Sequence, residues 1–343
     1  MSEGAHTLAL ARLLQLLDAR GYRFTAPTPE THRRVLKHPD KRQARELRDV
    51  FGWSLPFAPE LLDAEVLACL QAADAVEAGR GRLLRSRVRV ASLGDDLFVH
   101  SAFPPGEDSV FFGPDTYRFA DMIRAELADG PAPRSIVDMG TGSGAGAVAA
   151  ARLRRPERLV LTDVNERALA YARANAAKAG FEVECVRTQD LDGVEGPFDL
   201  ILANPPFMGA GGPAYQNGGA LFGAEVSLRW AAAAAGELAP GGRLLLYTGS
   251  AITGGEDRLR LTLGQLFADS PFALAYREID PDIFGEALSD PAYRGVDRIA
   301  AVGAVLTRRP EVSEPRQALE GAKAFLSLLL AGAAPERPAL ARL

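Results

Sequence analysis

The stretch that decides the fold runs from Ser135 to Gly146 and reads SIVDMGTGSGAG. Its first five residues form a short, mainly apolar run that is typical of a buried strand. The glycines that follow allow the backbone to turn tightly and to approach a ligand closely. A helix is predicted directly after them, and a helix N-terminus favours anionic groups. The stretch therefore predicts a ligand site at the carboxyl end of the first strand of a parallel sheet.

The same strand–helix alternation continues to about residue 307, which favours a parallel sheet covered on both faces. The predicted strands are Ser135–Met139, Arg158–Thr162, Glu182–Arg187, Phe198–Ala203, Arg243–Thr248, Phe272–Glu278 and Arg298–Thr307. The predicted helices are Ala145–Leu153, Glu166–Lys178, Leu221–Leu238 and Gly255–Phe267. The fold class predicted is α/β, with a seven-stranded, doubly wound, mostly parallel sheet and a smaller, mainly helical N-terminal domain.

The segment before the sheet has a helical pattern. An apolar stripe from Leu8 to Leu17 predicts a helix that ends at Gly21. Shorter helices are predicted at Arg45–Phe51, Pro59–Ala68 and Gln71–Ala78. Alternating apolar residues on both sides of the turn at Gly94 then indicate a hairpin. The pattern fits a winged-helix-like module or a helical cap with a hairpin linker.

Four segments are predicted along the 343 residues. Residues 1–90 form the N-terminal domain, residues 91–112 the hairpin or linker, residues 113–310 the sheet domain, and residues 311–343 a C-terminal tail. The tail includes a predicted helix at Pro315–Leu330.

Composition and charge narrow the class of protein. The net charge of −5 gives no general attraction to nucleic acid. No apolar run approaches the roughly 20 residues needed to cross a bilayer, and no signal-peptide pattern begins the sequence. Cys69 and Cys185 lie far apart without metal-type spacing, which predicts small buried hydrophobic residues, no metal site and a cytoplasmic location.

Chemistry-bearing residues follow the first three strands. Asp163 ends the second strand at the position of a ribose-binding acid, and Asp190-Leu191 follow the third, where they could meet an adenine amino group and its face. A nicotinamide dehydrogenase would share the first two features. It would also need a proton donor such as histidine near the hydride acceptor. All four histidines precede the sheet, which argues against a dehydrogenase.

The fourth strand ends in Asn204-Pro205-Pro206-Phe207. The prolines end the strand and donate no N–H, so neighbouring carbonyl oxygens are left to accept from a ligand. An amide side chain, a free carbonyl and an aromatic ring suit a flat group that bears an NH2. The motif therefore predicts a site for a planar amino or amide nitrogen.

Taken together, residues 110–310 resemble a class I S-adenosylmethionine-dependent methyltransferase of the small-domain group, which has an Asn-Pro-Pro-aromatic motif. That group includes release-factor glutamine methyltransferases and methyltransferases of exocyclic amines in nucleobases. The resemblance implies S-adenosyl-L-methionine as cofactor. It implies cofactor contacts from Asp138, Gly140, Thr141, Gly142, Gly144, Asp163, Val164, Asp190, Leu191 and Asn204. It implies that Asn204 and the Pro205 carbonyl hold the target nitrogen, so that Asn204, Pro205, Pro206 and Phe207 are the catalytic residues.

Other segments are candidates for covering the site. Phe111–Tyr117 stands where related enzymes cover the cofactor, and Asp115 is a candidate N-cap of the helix that runs to Leu127. The glycine-rich stretch 208–219 is predicted to be a mobile substrate loop, with Tyr215 and Asn217 as candidate contacts. The insertions 280–285 and 291–294 are predicted at the same edge.

The sequence leaves the methyl acceptor open. A nucleobase amine, a protein glutamine and a small biosynthetic molecule are all compatible with the motif, and a non-enzymatic cofactor-binding protein is the remaining alternative. Residues Arg45–Phe57 resemble part of a winged-helix-like module, which favours a macromolecular substrate, nucleic acid or protein. The predicted acceptor is the exocyclic amine of a nucleobase, adenine N6 or guanine N2. Five arginines on the predicted hairpin could meet phosphates or simply protect a ribbon edge: Arg80, Arg82, Arg85, Arg87 and Arg89.

Overall fold

The computed structural model describes residues 3–208, 217–268, 270–310, 326–327 and 330. These residues divide into two compact units, one ending at Val194 and the other beginning at Glu195. This division lies inside the predicted sheet domain. The domain boundaries predicted at residues 90 and 112 stay predictions. The predicted helix at Pro315–Leu330 falls almost entirely outside the described residues.

The first unit begins with short helices and two small antiparallel ribbons. The helices are α1 (Glu3–Ala19), α2 (Pro29–Val35), α3 (Leu47–Phe51) and α4 (Ala64–Ala72). The ribbon strands are β1 (Val76–Ala78), β2 (Leu84–Ser86), β3 (Val88–Leu93) and β4 (Asp96–Ser101). Strand β1 pairs with β2, and β3 pairs with β4 around a turn in which Gly94 has a φ of +59°. The hairpin predicted there is confirmed.

The rest of the first unit alternates helices with parallel strands. In chain order its elements are α5 (Pro114–Glu126), β5 (Ser135–Met139), α6 (Ala145–Arg154), β6 (Arg158–Asp163), α7 (Glu166–Ala179) and β7 (Glu184–Arg187). Strand β6 lies between β5 and β7 and pairs in parallel with both. Because parallel strands have their carboxyl ends at one edge, the loops after β5 and β6 meet there.

One hydrophobic core runs through this unit. Buried side chains of α1, including Leu10 and Leu14, belong to the same cluster as Val99 of β4 and Tyr171 of α7. Helix α1 packs directly on α7. The helical segment and the β5–β7 region are therefore stabilised by shared apolar burial.

The second unit contains the remaining strands. Its elements are β8 (Phe198–Ala203), α8 (Glu225–Glu237), β9 (Leu238–Thr253), β10 (Glu256–Asp257), α9 (Arg258–Leu266), β11 (Phe272–Asp280) and β12 (Arg298–Arg308). Strand β8 pairs in parallel with β9, whereas β12 runs antiparallel to both β9 and β11. The α/β class with parallel strands is confirmed, with antiparallel pairing at β11 and β12.

One helix predicted in the N-terminal segment is absent from the structure, and one observed helix was missed. Helix α4 ends at Ala72, and Val76–Ala78 pairs as a strand with β2, so no helix covers Gln71–Ala78. Helix α2 was not predicted, although Thr28 caps it by accepting a hydrogen bond from Thr31 N. Cys69 and Cys185 are free thiols that are only partly buried, which differs from the full burial expected.

Candidate active site

The glycine loop between β5 and α6 is held in a tight turn. Gly140, Gly142 and Gly144 all have positive φ, a backbone conformation that residues other than glycine rarely adopt. Thr141 N donates to Thr162 O on β6 at 2.8 Å, which ties the loop to the neighbouring strand. A Cβ on Gly142 would meet nothing nearer than Gly140 O at 4.0 Å, so there is open space beside that glycine. The loop is thus a preformed cradle with its backbone accessible.

Asp138 supports this loop from below. It is 2% exposed, and its Oδ2 accepts hydrogen bonds from Thr141 Oγ1 at 2.9 Å and from Ala147 N at 3.1 Å. Burial raises the pKa of Asp138 to about 7, although the two hydrogen bonds act in the opposite direction. Because Asp138 is almost fully buried, its contacts are with the loop and the start of α6, through Thr141 and Ala147.

Asp163 ends β6 and faces the same loop. Its Oδ2 accepts from Gly142 N at 3.0 Å, and its Oδ1 accepts from Asn165 N at 2.9 Å. Burial raises the pKa of Asp163 above its usual range. The next residue, Val164, has 56% of its surface exposed. A carboxylate beside an open apolar side chain fits a ribose hydroxyl pair next to a flat ring.

Asp190 and Leu191 follow β7 by three residues. Asp190 is half-buried, and its Oδ1 accepts from Asp192 N at 2.9 Å. Leu191 is only 6% exposed. Both lie in the first unit with the glycine loop, Asp163 and Val164, and their contact with a cofactor stays a prediction.

Asn175 is a supporting residue that sequence reasoning missed. It is 1% exposed on α7, and its Nδ2 donates to Ser143 O at 2.8 Å and to Val99 O at 3.0 Å. Its Oδ1 accepts from Val99 N at 2.8 Å. One amide therefore joins the glycine loop to β4. The available signal was a lone asparagine on the apolar side of an alanine-rich helix, where a buried amide needs partners.

The segment Phe111–Tyr117 begins α5. The N-cap is Gly113, whose N–H donates to Thr116 Oγ1, so the prediction of Asp115 as N-cap is wrong. Asp115 instead lies in the first turn of the helix, 3.6 Å from Arg118. Tyr117 Oη accepts from Ala26 N at 2.9 Å. Nearby, Asn165 Nδ2 donates to Asp108 O at 3.0 Å, which places the loop before this segment beside Asp163.

In the second unit, Asn204-Pro205-Pro206-Phe207 directly follows the buried strand β8, as predicted. Asn204 is half-buried, and Phe207 is 9% exposed. A Cβ on Gly249 of β9 would come within van der Waals overlap of the Phe207 ring, so only glycine leaves room for that ring. The motif is therefore held by the buried strand β8 and by the packing of Phe207 on Gly249.

Residues 217 and 218 hold the backbone of Met208, directly after the motif. Gly218 N donates to Met208 O at 2.7 Å, and Met208 forms a parallel bridge with Asn217. A Cβ on Gly218 would lie 2.7 Å from Phe207 Cα, which requires glycine there. Asn217 is exposed, and its Oδ1 accepts from Gly219 N at 3.0 Å. Its substrate contact stays a prediction, and Tyr215 lies outside the described residues.

Aromatic side chains gather around the motif within this unit. The ring of Phe284 lies 5.7 Å from that of Phe207, and the ring of Phe222 stacks at 6.4 Å on Tyr293. Tyr293 Oη lies 4.0 Å from Met208 Sδ. Phe222 and Phe284 both have φ near +55°, an uncommon conformation that is enriched at functional sites. The insertion after β11 thus contacts the motif, as expected.

The five arginines predicted on the hairpin differ in exposure and in ion pairing. Arg87 pairs with Asp74 at 3.1 Å and with Glu77 at 3.3 Å, and Arg89 is buried. Arg80, Arg82 and Arg85 are exposed, and Arg85 Nη2 donates to Ser54 O at 3.5 Å. The basic ribbon predicted for phosphate contact is therefore weaker than its sequence indicates.

Within residues 3–208, 217–268 and 270–310, no group of three metal-ligating side chains comes together. No helix in the same described part of the chain has the length and apolar character to cross a membrane.

Part of the chain is similar to known methyltransferases. Residues 120–266 match the family model described as methyltransferase small domain. Over 144 residues the chain is 35% identical to a release factor glutamine methyltransferase of Deinococcus radiodurans, a match that covers 39% of this chain and 51% of that protein.

Two further relatives are similar to parts of the chain. A ribosomal protein L11 methyltransferase of Rhodopseudomonas palustris is 36% identical over 150 residues, or 40% of this chain and 48% of that protein. A ribosomal RNA small subunit methyltransferase C of Serratia proteamaculans is 38% identical over 72 residues, or 21% of each chain. The chain spans about half the length of the first two relatives. The glycine loop and the Asn-Pro-Pro-Phe motif both lie within residues 120–266, so this part of the chain is similar to the methyltransferase small domain.

Proposed function

We propose that this protein methylates a planar NH2 nitrogen of a macromolecule, with S-adenosylmethionine as methyl donor. The observation that carries the proposal is the Asn204–Phe207 motif at the end of buried strand β8. The residues of the first unit fit the cofactor, because the glycine cradle is open at Gly142 and Asp163 lies beside the exposed Val164.

The proposed role of Asn204 and Pro205 is orientation. When bound, S-adenosylmethionine would supply a methyl group on a sulfonium. The NH2 nitrogen would attack that methyl carbon while its bond to sulfur breaks, and the methylated nitrogen would then release one proton to solvent. The lone pair of an amide or aniline-like nitrogen is delocalised. Two hydrogen bonds, one to Asn204 Oδ1 and one to the Pro205 carbonyl, would direct that lone pair at the methyl carbon. Positioning and stabilisation of the charge developing on nitrogen then supply most of the acceleration.

The favoured acceptor is the exocyclic amine of a nucleobase, adenine N6 or guanine N2. The rings of Phe207, Phe284, Phe222 and Tyr293 near the motif support this choice, because aromatic side chains stack on splayed bases. The match to a ribosomal RNA methyltransferase also supports it.

A protein glutamine is the second candidate. It is supported by the 35% identity to a release factor glutamine methyltransferase over 144 residues. It is also supported by the ion pairs and burial that occupy Arg87 and Arg89 of the hairpin.

A labelled-methyl assay separates the acceptors. Purified protein and tritiated S-adenosylmethionine are added to cell extract, and the products are digested with nuclease or with protease. Loss of macromolecular label with nuclease supports the nucleobase, whereas loss with protease supports the glutamine. Label that passes a small-pore filter before any digestion would contradict a macromolecular substrate. No transfer with any fraction would contradict the activity itself.

Replacing Asn204 tests the orientation role. We expect Asn204→Ala to lower kcat at least about 100-fold, the size of effect seen when one preorganised transition-state contact is lost. Cofactor affinity, measured by calorimetry, should stay within about twofold, as it should for Gln71→Ala, an exposed amide on α4. A large loss of cofactor affinity in Asn204→Ala would assign Asn204 to cofactor binding instead.

A further inference from the structure

A small cavity lies in the first unit, between the start of α2, the β3–β4 hairpin and the segment that leads to α5. Its volume is about 30 Å³. Arg89 and His100 line it, together with the rings of Phe103, Phe111 and Phe112 and the hydroxyl-bearing Ser101. A space of this size holds a small polar group or a few water molecules.

Arg89 brings a positive charge to this cavity. It is 7% exposed, and its Nε donates to Gly52 O at 2.9 Å. Its Nη2 is buried and has no hydrogen-bond partner. Burial lowers the pKa of Arg89 to about 10, which still leaves it charged at neutral pH. A buried cation with an unused N–H is costly unless an acceptor fills the position.

His100 adds a second unused nitrogen. It is 1% exposed, its ring stacks on Phe112 at 5.3 Å, and its Nε2 has no hydrogen-bond partner. Burial, with Arg89 and His32 nearby, lowers the pKa of His100 well below its ordinary value. A hydrogen bond between the His100 ring and the Ser101 backbone acts against that shift. A neutral imidazole carries only one N–H, so the charge at this cavity comes from Arg89.

The charge on the cavity wall selects a monoanion. Among the described residues that line it, Arg89 is the one formally charged side chain, and no carboxylate is present. A dianion would keep one uncompensated charge in a largely apolar surrounding. An internal phosphodiester is also a monoanion, but it carries two ester arms, and the volume of the cavity is only about 30 Å³. A terminal carboxylate needs only one point of entry.

We propose that the cavity between Arg89 and His100 is a binding site for the terminal carboxylate of a small organic acid or of a peptide chain end. Arg89 Nη2 donates to a carboxylate oxygen, His100 lies on the wall beside it, and the aromatic walls contact the carbon attached to the carboxylate. The proposal concerns residues outside the glycine loop and the Asn204–Phe207 motif, so it does not depend on the acceptor of methyl transfer.

Titration of the full-length protein with sodium propionate at constant ionic strength tests the proposal. Binding is followed by calorimetry and by the rise in Tm, because a ligand that binds the folded state stabilises it. We expect Arg89→Met to bind roughly 10- to 100-fold more weakly, the effect of losing one charge-assisted hydrogen bond. Arg82→Met removes an exposed charge from the same hairpin region and should bind as the native protein does.

A second variant protects the test against misfolding. Ala102→Leu fills the cavity from its wall and keeps Arg89, so it should lose propionate binding while retaining the native circular dichroism spectrum. Absence of saturable binding to the native protein overturns the proposal, as does equal binding to all variants. Arg89-dependent binding of a dinucleotide with no binding of propionate also overturns it. A peptide with a free C-terminus compared with its amide shows whether chain ends are the ligand source.

Discussion

At the scale of single residues, Asp138 shows how burial and hydrogen bonding compete. Its carboxyl group lies beneath the glycine loop with two donors on one oxygen, yet burial raises its pKa to about 7. In the unfolded chain the same group would have its ordinary pKa, near 3.8. Between these two values the folded state binds the proton more strongly.

This difference predicts a pH dependence of stability. Because the folded pKa is raised, the contribution of Asp138 to stability is present below about pH 4 and is lost as the pH rises through about 7. Between pH 5 and pH 8 the loss should be on the order of 2 kcal/mol. Asp138→Asn keeps an acceptor for Thr141 and Ala147 and should show a smaller loss over this range, measured by urea unfolding. An unchanged pH dependence in Asp138→Asn would contradict the raised pKa.

At the scale of elements, Asn175 connects α7, β4 and the glycine loop through three hydrogen bonds. Asn175→Leu has a similar volume but leaves Val99 N, Val99 O and Ser143 O without these partners. We expect a loss of about 2–4 kcal/mol in the free energy of unfolding, since each unpaired buried group costs about 1–3 kcal/mol.

The same substitution should weaken cofactor binding, because Ser143 belongs to the loop that forms the cradle. Calorimetry with S-adenosylmethionine measures this effect at a temperature where the variant is folded. Arg167→Ala, an exposed change on α7, serves as the control. Native cofactor affinity in Asn175→Leu would show that the loop keeps its shape without this amide.

At the scale of the whole molecule, the N-terminal segment and the β5–β7 region share one compact unit. Lys178 of α7 is 9% exposed, and its Nζ lies 3.0 Å from Asp18 of α1 and 3.7 Å from Asp96 of β4. Asp96 also accepts two hydrogen bonds from Arg152 of α6, at 2.8 and 2.7 Å. These pairs and the common apolar core join parts of the sequence that pattern alone assigns to separate domains.

A fragment that begins at residue 113 tests this integration. It lacks Asp18, Asp96 and Val99, so Lys178 and Asn175 lose buried partners and the α1-facing side of α7 is exposed. We expect the fragment to aggregate or to melt at a clearly lower Tm than the full chain, as measured by circular dichroism. A soluble fragment with the full chain's Tm and cofactor affinity would instead support the boundary predicted from the sequence.

The strands and the motifs could be predicted because their causes are local. Strands β5 and β8 match the predicted bounds, because in both an apolar run is followed within two residues by glycine or proline, which marks the end of the strand. The helix predicted at Gln71–Ala78 was wrong because Val76–Ala78 gains its hydrogen bonds from β2, and a strand pairing is not visible in helix propensity. Arg89 likewise reads as an exposed ribbon charge, although the fold buries it.

The α/β class, the glycine loop after β5 and the position of Asn204–Phe207 at the end of β8 follow from local patterns, because periodicity, glycine and proline act over a few residues. The folded chain was needed to see that Asn175 holds the loop, that Gly249 leaves room for Phe207, and that Arg89 and His100 line one cavity. These features depend on contacts between residues far apart in the chain. Burial and unpaired donors exist only once such residues pack together.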